Sequence, residues 1–475
     1  MSDQNFSKAF LILILSGIFL AVYPVLYPHV GFLQRHFKSY SLFPKAVKDS
    51  IGGADSLVYS ATMPDSIHKE VLPPAYSGIE YLNDFFVKLH KGNSQIRIAY
   101  YGDSAIEGDM ISQTLRDSLQ KRYGGSGVGF VPIYSPIAGF RNTINQHASD
   151  NWQVWNFGLQ REGCPFAFGY GGEVFSAKRT VDSLLIQPDS LSVDSLQMDT
   201  LKKNEVEESG EMPNEYTVRY IASKRYAGVS TLAHPFLFYG APTDGKTFGE
   251  VAVTEFKKES KYALKGKKTV NRLSFAPNAR KIALSFTGID SMPIYGMSFE
   301  SKRGVIVDNL PSRGNSGSWL MRLDVNVMRQ FDEYFDVDLV ILQYGLNVLN
   351  PKMTDYSWYK TEMKRVIAHV KRSFPKAAIL IVGPSDKATK VNGEMVTDPS
   401  VPLITGVLRQ AAEESEVAFF SLYERMGGAG TMVNWVEKKN PRWANLDYTH
   451  FNFQGARAAG GMLSEFLKGD FNPNR

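Results

Sequence analysis

The chain has 475 residues and 43% of them are hydrophobic, which is enough to bury one large core and a second, smaller one. Its formal net charge of +5 is mildly basic and too weak to imply a nucleic-acid partner. The single cysteine, Cys164, excludes an intrachain disulfide framework and a thiolate metal cluster.

An apolar segment at residues 10–26 predicts a membrane helix near the N-terminus. It is shorter than the roughly 20 residues of a typical spanning helix, but Tyr23 and Tyr27 provide an aromatic flank. A cleaved signal peptide is the alternative, and the lack of a small-x-small cleavage site after the segment favours an uncleaved anchor. We therefore expect residues 1–30 to hold the chain in a membrane. The rest should lie outside the cytoplasm, because long domains translocate largely regardless of flanking charges.

The first α/β pattern follows a connector at residues 31–95, which contains a short predicted helix at 79–89. An apolar run at 96–101 predicts a buried strand that ends just before Ser104. Helical spacing follows this strand at residues 108–123. A strand followed by a helix is the repeating unit of an α/β domain.

Between residues 151 and 300 the pattern changes to short alternating runs, which predict antiparallel strands of an inserted β-rich domain. Three such runs are residues 236–239, 281–286 and 294–299. Within this insert, residues 181–215 are rich in Asp, Ser and Glu and predict a disordered acidic loop. A calcium-binding loop is the less favoured interpretation, because the glycines and the ligand spacing of such a loop are absent.

From residue 304 onward, strands and helices alternate again, which predicts a parallel sheet covered by helices on both faces. Residues 96–150 and 301–470 should therefore form the two parts of one α/β domain, which the insert interrupts. The predicted strands are 304–309, 338–344, 378–383 and 417–422, and the predicted helices are 319–335, 356–373, 401–415 and 453–467.

Two distant motifs contain the parts of a nucleophile–base–orienter triad. Ser104 follows a buried strand, and Asp447 and His450 stand three positions apart near the C-terminus. A serine hydroxyl becomes a good nucleophile when an imidazole accepts its proton, and a carboxylate fixes the tautomer of that imidazole. Ser104, the loop at Gly314 and Asn347 each follow a strand end, so a parallel sheet can bring them together. No histidine pair has metal-ligand spacing and no dinucleotide motif is present, so we expect no metal and no cofactor.

Four blocks in this order resemble the SGNH (GDSL-type) hydrolase family. The resemblance implies a flavodoxin-like three-layer sandwich with Ser104 as nucleophile, His450 as base and Asp447 as its orienter. It also implies an oxyanion hole made of the Ser104 and Gly314 backbone N–H groups and the Asn347 side-chain amide. The four blocks are Gly102-Asp103-Ser104, the stretch 308–316 around Gly314, Gly345-Leu346-Asn347, and Asp447-Tyr448-Thr449-His450.

A closer similarity adds the stretch 423–432 and Trp435, which resemble bacterial envelope enzymes of the peptidoglycan O-acetylesterase type. Those enzymes also carry a carbohydrate-module-like β-domain between the first two blocks, where this chain has its insert at 151–300. The resemblance implies a membrane-anchored, periplasmic serine esterase that removes O-acyl groups, principally acetyl, from a cell-envelope glycan such as peptidoglycan. Its implied partners are the acylated glycan, the inner membrane and a membrane O-acyltransferase.

Two alternatives stay open at the level of the sequence. The first is an SGNH-type acyltransferase that uses the same triad to move acyl groups onto an envelope polysaccharide. The second is a non-catalytic glycan-binding protein, against which the complete triad argues. The sequence assigns no glycan-binding residue and does not distinguish water from sugar as the acyl acceptor.

Overall fold

The computed structural model describes most of the chain from residue 74 onward. The predicted membrane segment, most of the predicted connector and nearly all of the predicted acidic loop lie outside the described residues. No helix in the described part of the chain is long and apolar enough to cross a membrane. The described ranges are 74–177, 215–246, 248–255, 258–276 and 278–469.

Within these ranges, α-helices lie before residue 124 and after residue 324, and the region between them contains strands and short turns. The strands are β1 (Tyr76–Ser77), β2 (Gln95–Gly102), β3 (Gly129–Val131), β4 (Ile144–Ala148), β5 (Trp152–Asn156), β6 (Glu173–Ala177), β7 (Tyr216–Ala222), β8 (Pro235–Tyr239), β9 (Gly249–Glu255), β10 (Lys258–Leu264), β11 (Asn271–Ser274), β12 (Lys281–Thr287), β13 (Ile294–Phe299), β14 (Gly304–Pro311), β15 (Val337–Gln343), β16 (Ala378–Val382), β17 (Ala388–Val391), β18 (Glu394–Thr397) and β19 (Ala418–Phe420). The helices are α1 (Asn83–Lys91), α2 (Ser112–Tyr123), α3 (Val325–Phe335), α4 (Ser357–Ser373), α5 (Ser400–Glu414), α6 (Leu422–Met426), α7 (Thr431–Glu437) and α8 (Phe453–Leu467).

A six-stranded sheet with the order β1-β19-β16-β15-β2-β14 forms the centre of the α/β part. Its strands run parallel except for β1, which pairs with β19 in the antiparallel direction. Side chains of the central strand β2 alternate between two cores. Ile98 and Tyr100 pack with α2 and α8, and Ala99 and Tyr101 pack with α3, α4 and α5. The predicted parallel sheet with helices on both faces is therefore confirmed.

The region between the helical parts forms two antiparallel sheets. Their strand orders are β10-β9-β12-β7-β4 and β11-β8-β13-β6-β5, and β3 pairs with β13 beside the second sheet. Their facing side chains form a third core, with Val253 and Phe286 from one sheet and Leu237 and Met297 from the other. The predicted β-rich region is confirmed. Strands β3 and β4 precede residue 151, and the exact domain boundaries stay a prediction.

Aromatic side chains pack the β-rich region directly against helix α3. The ring of Phe238 on β8 lies 4.7 Å from that of Phe335 and 5.7 Å from that of Phe331, measured between centroids. The ring of Tyr170 lies 4.7 Å from that of Phe335. These rings belong to one of the two cores that flank the parallel sheet. Burial of such large rings places the β-rich region at one side of the α/β part.

A buried ion pair joins the central strand β2 to the edge strand β14. Arg97 and Asp308 are fully buried, and Asp308 accepts hydrogen bonds from Arg97 Nε at 2.7 Å and Nη2 at 2.9 Å. The same carboxylate accepts from the backbone N–H of Phe130 at 2.7 Å and from the hydroxyl of Tyr170 at 2.9 Å. Burial alone would lower the pKa of Arg97, but the charges of Asp308 and Glu300 raise it above its ordinary value. Arg97 therefore stays protonated inside the protein.

Two helices begin later than their sequence pattern predicts. A 3-10 segment, Ser318–Arg322, replaces the start of the helix predicted at 319–335. Helix α3 begins after Asp324, whose side chain accepts hydrogen bonds from two backbone N–H groups of the first turn. Helix α2 begins at Ser112, because Gly108 adopts a left-handed φ of 63° within a preceding 3-10 segment. Apolar spacing continues across such breaks, so periodicity alone does not locate them.

We expect Asp308→Asn to lower the free energy of unfolding by about 3–5 kcal/mol, because a buried guanidinium loses a charged partner. Urea unfolding followed by tryptophan fluorescence measures this loss. The matched control is Glu333→Gln, which removes a surface pair with Lys268 in which the side chains are 61% and 63% exposed. The control should change stability by less than about 1 kcal/mol. Equal losses in the two variants would contradict a structural role for the buried pair.

Candidate active site

Ser104 lies directly beyond the end of β2, at the carboxyl edge of the parallel sheet. Asp103 has an extended conformation, and its side chain accepts a hydrogen bond from the backbone N–H of Ala105 at 2.9 Å. This bond caps the 3-10 segment that begins at Ser104 and leaves the serine side chain half-buried. The chain therefore turns sharply at the position where sequence analysis places the nucleophile.

A tight turn at residues 447–450 presents the imidazole. Asp447 Oδ1 accepts hydrogen bonds from the backbone N–H groups of Thr449 and His450, each at 2.9 Å. Tyr448 adopts a left-handed φ of 53°, which tightens the turn. Asp447 Oδ2 accepts a hydrogen bond from His450 Nδ1 at 2.8 Å. Helix α8 follows the turn, with Asn452 as its N-cap, so the imidazole stands next to a fixed helix end.

The structure brings the predicted nucleophile and base together. His450 Nε2 lies 3.2 Å from Ser104 Oγ, although the two residues are 346 positions apart in the sequence. With Nδ1 hydrogen-bonded to Asp447, the neutral imidazole presents the lone pair of Nε2 to the serine hydroxyl. This arrangement can move a proton from Ser104 to His450. The three predicted triad residues thus lie in one hydrogen-bonded chain, and their catalytic roles stay predictions.

Hydrogen bonding shifts the pKa of both partners in the triad. The bond to Asp447 raises the pKa of His450, although burial acts in the opposite direction. The charge of Asp103 adds to this rise, and Arg313 opposes it. Burial would raise the pKa of Asp447, but hydrogen bonds from His450 and from two backbone N–H groups lower it to about 2. Asp447 is therefore ionised at neutral pH, where it stabilises a protonated imidazole.

The site is open to solvent on the side of the base. The side chains of His450 and Asp447 are 44% and 48% exposed. Solvent screens the attraction between them, so the pair contributes orientation more than stability. Because this side of the site is open, a large molecule can reach the imidazole from solvent.

The two predicted oxyanion donors on loops differ in the hydrogen bonds that they already make. Gly314 lies in an exposed turn with a φ of 75°, and its backbone N–H donates to no group among the described residues. Asn347 Nδ2 donates to Asp103 Oδ2 at 2.9 Å and to the backbone oxygen of Asn315 at 3.1 Å. Both N–H bonds of that amide are engaged, so an oxyanion has to take one of them from its present acceptor. The two oxyanion assignments stay predictions.

Two residues to which sequence analysis gives no role support the site. Asp103 is 1% exposed, and burial raises its pKa to about 6 against the opposing backbone hydrogen bond and imidazole charge. Its carboxylate connects the serine turn to the loop of Asn347. Asn315 is fully buried, and its Oδ1 accepts a hydrogen bond from the backbone N–H of Gly317 at 2.8 Å, which orders the loop after Gly314. The place of Asp103 beside the predicted nucleophile was the available signal, whereas Asn315 carries none.

The fold can be compared with the folds of known proteins. No family model and no curated protein matches the chain. The structure is similar to that of a peptidoglycan O-acetylesterase, with a TM-score of 0.58 and 19% sequence identity over 84% of this chain and 98% of that chain. It also matches a family two carbohydrate esterase from Cellvibrio japonicus, with a TM-score of 0.25 and 10% identity over 54% of this chain and 92% of that one. The first of these similarities confirms the predicted resemblance to peptidoglycan O-acetylesterases at the level of the fold.

The raised pKa of His450 determines the pH dependence that we expect. Hydrolysis of a small acetyl ester needs the neutral imidazole, so the rate should fall as pH drops through a pKa above the ordinary 6.5. Asp447→Asn removes the carboxylate that raises this pKa and places an N–H group against Nδ1. The variant should therefore have a lower kcat and a falling limb at lower pH.

The pH–rate profiles of the wild type and Asp447→Asn, each with and without a chelator, measure this effect. Within the described ranges, no group of three or more His, Cys, Asp or Glu side chains is placed to hold a metal ion. The chelator tests the expectation of metal-free chemistry. A profile that is flat between about pH 5 and 8, or activity that the chelator removes, would exclude His450 as the general base.

We expect Asn347→Ala to lower kcat by about 10²–10³ with little change in KM, because an oxyanion contact strengthens only in the transition state. Steady-state kinetics on a small acetyl ester measures both constants. The matched control is Asn350→Ala, which removes another exposed amide from the same loop and should change kcat by less than about threefold. A change confined to KM would assign Asn347 to substrate binding instead.

Proposed function

We propose that the chain is a serine esterase that removes O-acyl groups, principally acetyl, from a cell-envelope glycan such as peptidoglycan. The observation that carries this proposal is the hydrogen-bonded chain Ser104–His450–Asp447 at the carboxyl edge of the parallel sheet. Its geometry matches the requirements of nucleophilic acyl transfer, which are a hydroxyl, a base within reach and an oriented carboxylate. The fold shared with a peptidoglycan O-acetylesterase supports the choice of substrate.

The reaction follows from the positions of the three side chains. His450 Nε2 takes the proton of Ser104 as Oγ attacks the ester carbonyl carbon. The resulting oxyanion receives hydrogen bonds from the backbone N–H groups of Ser104 and Gly314 and from the amide of Asn347, which gives up one of its present acceptors. The imidazolium returns its proton to the sugar oxygen, which leaves as an alcohol. Water then attacks the acyl-serine with His450 again as base, and the acid product leaves.

The chemistry of the substrate fits an open triad. An acetyl group is small and needs little enclosure, whereas the glycan that carries it is a long polymer. The half-exposed imidazole stands where a polymer can approach the serine from solvent. The same proposal places the chain in the bacterial cell envelope, with residues 10–26 as an inner-membrane anchor and the catalytic part in the periplasm. A membrane O-acyltransferase that adds the acyl groups is the proposed functional partner.

Ser104→Ala should abolish hydrolysis of an acetyl ester, because the attacking oxygen is lost while the fold is not touched. The matched control is Ser415→Ala. Ser415 lies just before β19, at the edge of the sheet opposite to Ser104, so this variant should leave the rate unchanged. Acetate release and the melting temperature of both variants are measured. Substantial activity in Ser104→Ala would refute the assignment of the nucleophile.

Adding a sugar acceptor to the same assay separates hydrolysis from transfer. An esterase releases acetate at a rate that the acceptor hardly changes, because water attacks the acyl-serine. Acetyl groups that appear on the added sugar, with a matching loss of free acetate, would instead favour an acyltransferase of the same fold. Mass spectrometry of the sugar and an enzymatic acetate assay provide the two readouts.

A further inference from the structure

An ion pair joins the serine turn to the loop that contains Gly314. Arg313 donates two hydrogen bonds to the carboxylate of Glu107, from Nε to Oε1 at 3.1 Å and from Nη2 to Oε2. The two residues are 206 positions apart in the sequence. A guanidinium fork that meets both oxygens of a carboxylate fixes distance and orientation at the same time. The pair therefore restricts how the Gly314 loop lies relative to the serine turn.

Glu107 belongs to a segment that the core holds in place. It lies in the 3-10 segment Ser104–Asp109, three residues after the predicted nucleophile. The preceding residue, Ile106, is fully buried, and its backbone oxygen accepts a hydrogen bond from the side-chain amide of Asn309 at 2.9 Å. Asp109, at the other end of the segment, is also fully buried. The carboxylate of Glu107 is therefore the fixed side of the ion pair.

Arg313 and Gly314 are the two central residues of a tight turn. The turn is closed by the backbone N–H of Asn315, which donates to the backbone oxygen of Ser312 at 3.2 Å. Gly314 has a φ of 75°, which suits the second central position of a type II turn. The peptide unit between the two central residues contains the N–H of Gly314. Its direction therefore depends on the conformation of Arg313.

Packing does little to hold this central peptide. A Cβ at Gly314 would find one neighbouring atom within 4 Å, on the ring of Trp319, and the side chain of Arg313 is 70% exposed. Within the described ranges, Arg313 makes no hydrogen bond or ion pair through its side chain except with Glu107. A turn with glycine at this position can also adopt type I, in which the central peptide is rotated and its N–H points elsewhere. The ion pair is thus the contact that selects one orientation.

We propose that Glu107 and Arg313 are a positioning pair, which holds the Arg313–Gly314 peptide so that its N–H meets the oxyanion. The inference rests on the proposed function, because the oxyanion forms only in that reaction. Both side chains act through the backbone of Gly314 and touch no reacting atom. An ion pair with one exposed partner adds little to stability, whereas misplacing a catalytic group by 1 Å costs about 10²-fold in rate.

The charge of Arg313 gives the proposal a second observable. Asp447 and Asp103 raise the pKa of His450, and the guanidinium of Arg313 lowers it. These three charges belong to three different loops around the imidazole. Loss of the positive charge at position 313 should therefore raise the pKa of His450 further. The falling limb of the pH–rate profile then moves to higher pH, which a purely structural role of Arg313 would not cause.

Three full-length variants separate the geometry of the pair from its charge. Arg313→Gln should lower kcat for a small acetyl ester by about 10- to 100-fold, leave KM nearly unchanged and move the falling limb to higher pH. Glu107→Gln should lower kcat similarly without this upward shift, because the charge of Arg313 remains. Arg313→Lys keeps the charge but not the fork, so its limb should stay in place and its kcat should lie between the two. Values of kcat are compared on the plateau of each profile, with the melting temperature as a check on folding.

A double variant and a matched control complete the design. Glu107→Gln combined with Arg313→Gln should have a kcat no lower than the weaker single variant, because both changes remove the same contact. The control Arg365→Gln changes an arginine of α4 that is 69% exposed and pairs with Glu362. It should alter neither kcat nor the position of the limb.

Each other outcome overturns the positioning role. A change confined to KM in Arg313→Gln would make Arg313 a substrate contact. An unchanged kcat in either single variant, losses that multiply in the double variant, or an unmoved limb in Arg313→Gln would also contradict it. If Arg313→Gln does not fold, Arg313→Lys and Glu107→Gln still decide through their kcat.

This test and the test of the proposed function fail in different ways. A wild type that hydrolyses acetyl esters as fast as folded Arg313→Gln and Glu107→Gln loses only the positioning pair. A wild type that hydrolyses no acetyl ester loses the proposed function, and the positioning role falls with it.

Discussion

The buried ion pair between Arg97 and Asp308 is the interaction on which the rest of the structure depends. The two oxygens of Asp308 bind groups from β2, from β3 and from Tyr170, so three segments of the chain meet at one carboxylate. A buried charge is tolerated only when it is paired and fully hydrogen-bonded, and these segments therefore have to assemble together. The same carboxylate restricts position 129 to glycine, because a Cβ there would overlap Asp308 Oδ1. The β-rich region is thereby joined to the strand that leads to Ser104.

Two further carboxylates have opposite environments beside the imidazole. Asp447 receives three hydrogen bonds and has a pKa of about 2, whereas burial raises the pKa of Asp103 to about 6. Each uses one oxygen for the backbone of its own turn and the other for a side chain, His450 in one case and Asn347 in the other. Groups whose environments separate their pKa values in this way usually have different roles. Here Asp447 holds the imidazole of His450 and Asp103 holds the side-chain amide of Asn347.

The fold was predictable wherever the signal is local. Buried strands are continuous apolar runs, and the parallel sheet follows from their alternation with helices. The hairpin β17–β18 has such a signal in Asn392-Gly393, whose φ values of 50° and 94° suit a two-residue turn. The breaks before α2 and α3 were not predictable from spacing, because a left-handed glycine and a capping aspartate interrupt a periodicity that otherwise continues. Antiparallel pairing begins before residue 151, with β3 and β4. Their partners, β13 and β7, lie far along the chain, so a local change of pattern does not mark where the pairing begins.

The sequence by itself determined the local patterns that contain the candidate reacting groups. A serine after a buried strand and an Asp-x-x-His turn are local patterns, and the turn needs only its own backbone to align Asp447 with His450. Only the tertiary structure decided which groups remain free, because hydrogen-bond partners are chosen among atoms that are distant in the chain. It brought His450 to Ser104, engaged both N–H bonds of Asn347, and enclosed Nη2 of Arg141 without a hydrogen-bond acceptor among the described residues. Whether a donor finds an acceptor depends on every neighbour within about 3 Å, and no spacing in a sequence records those neighbours.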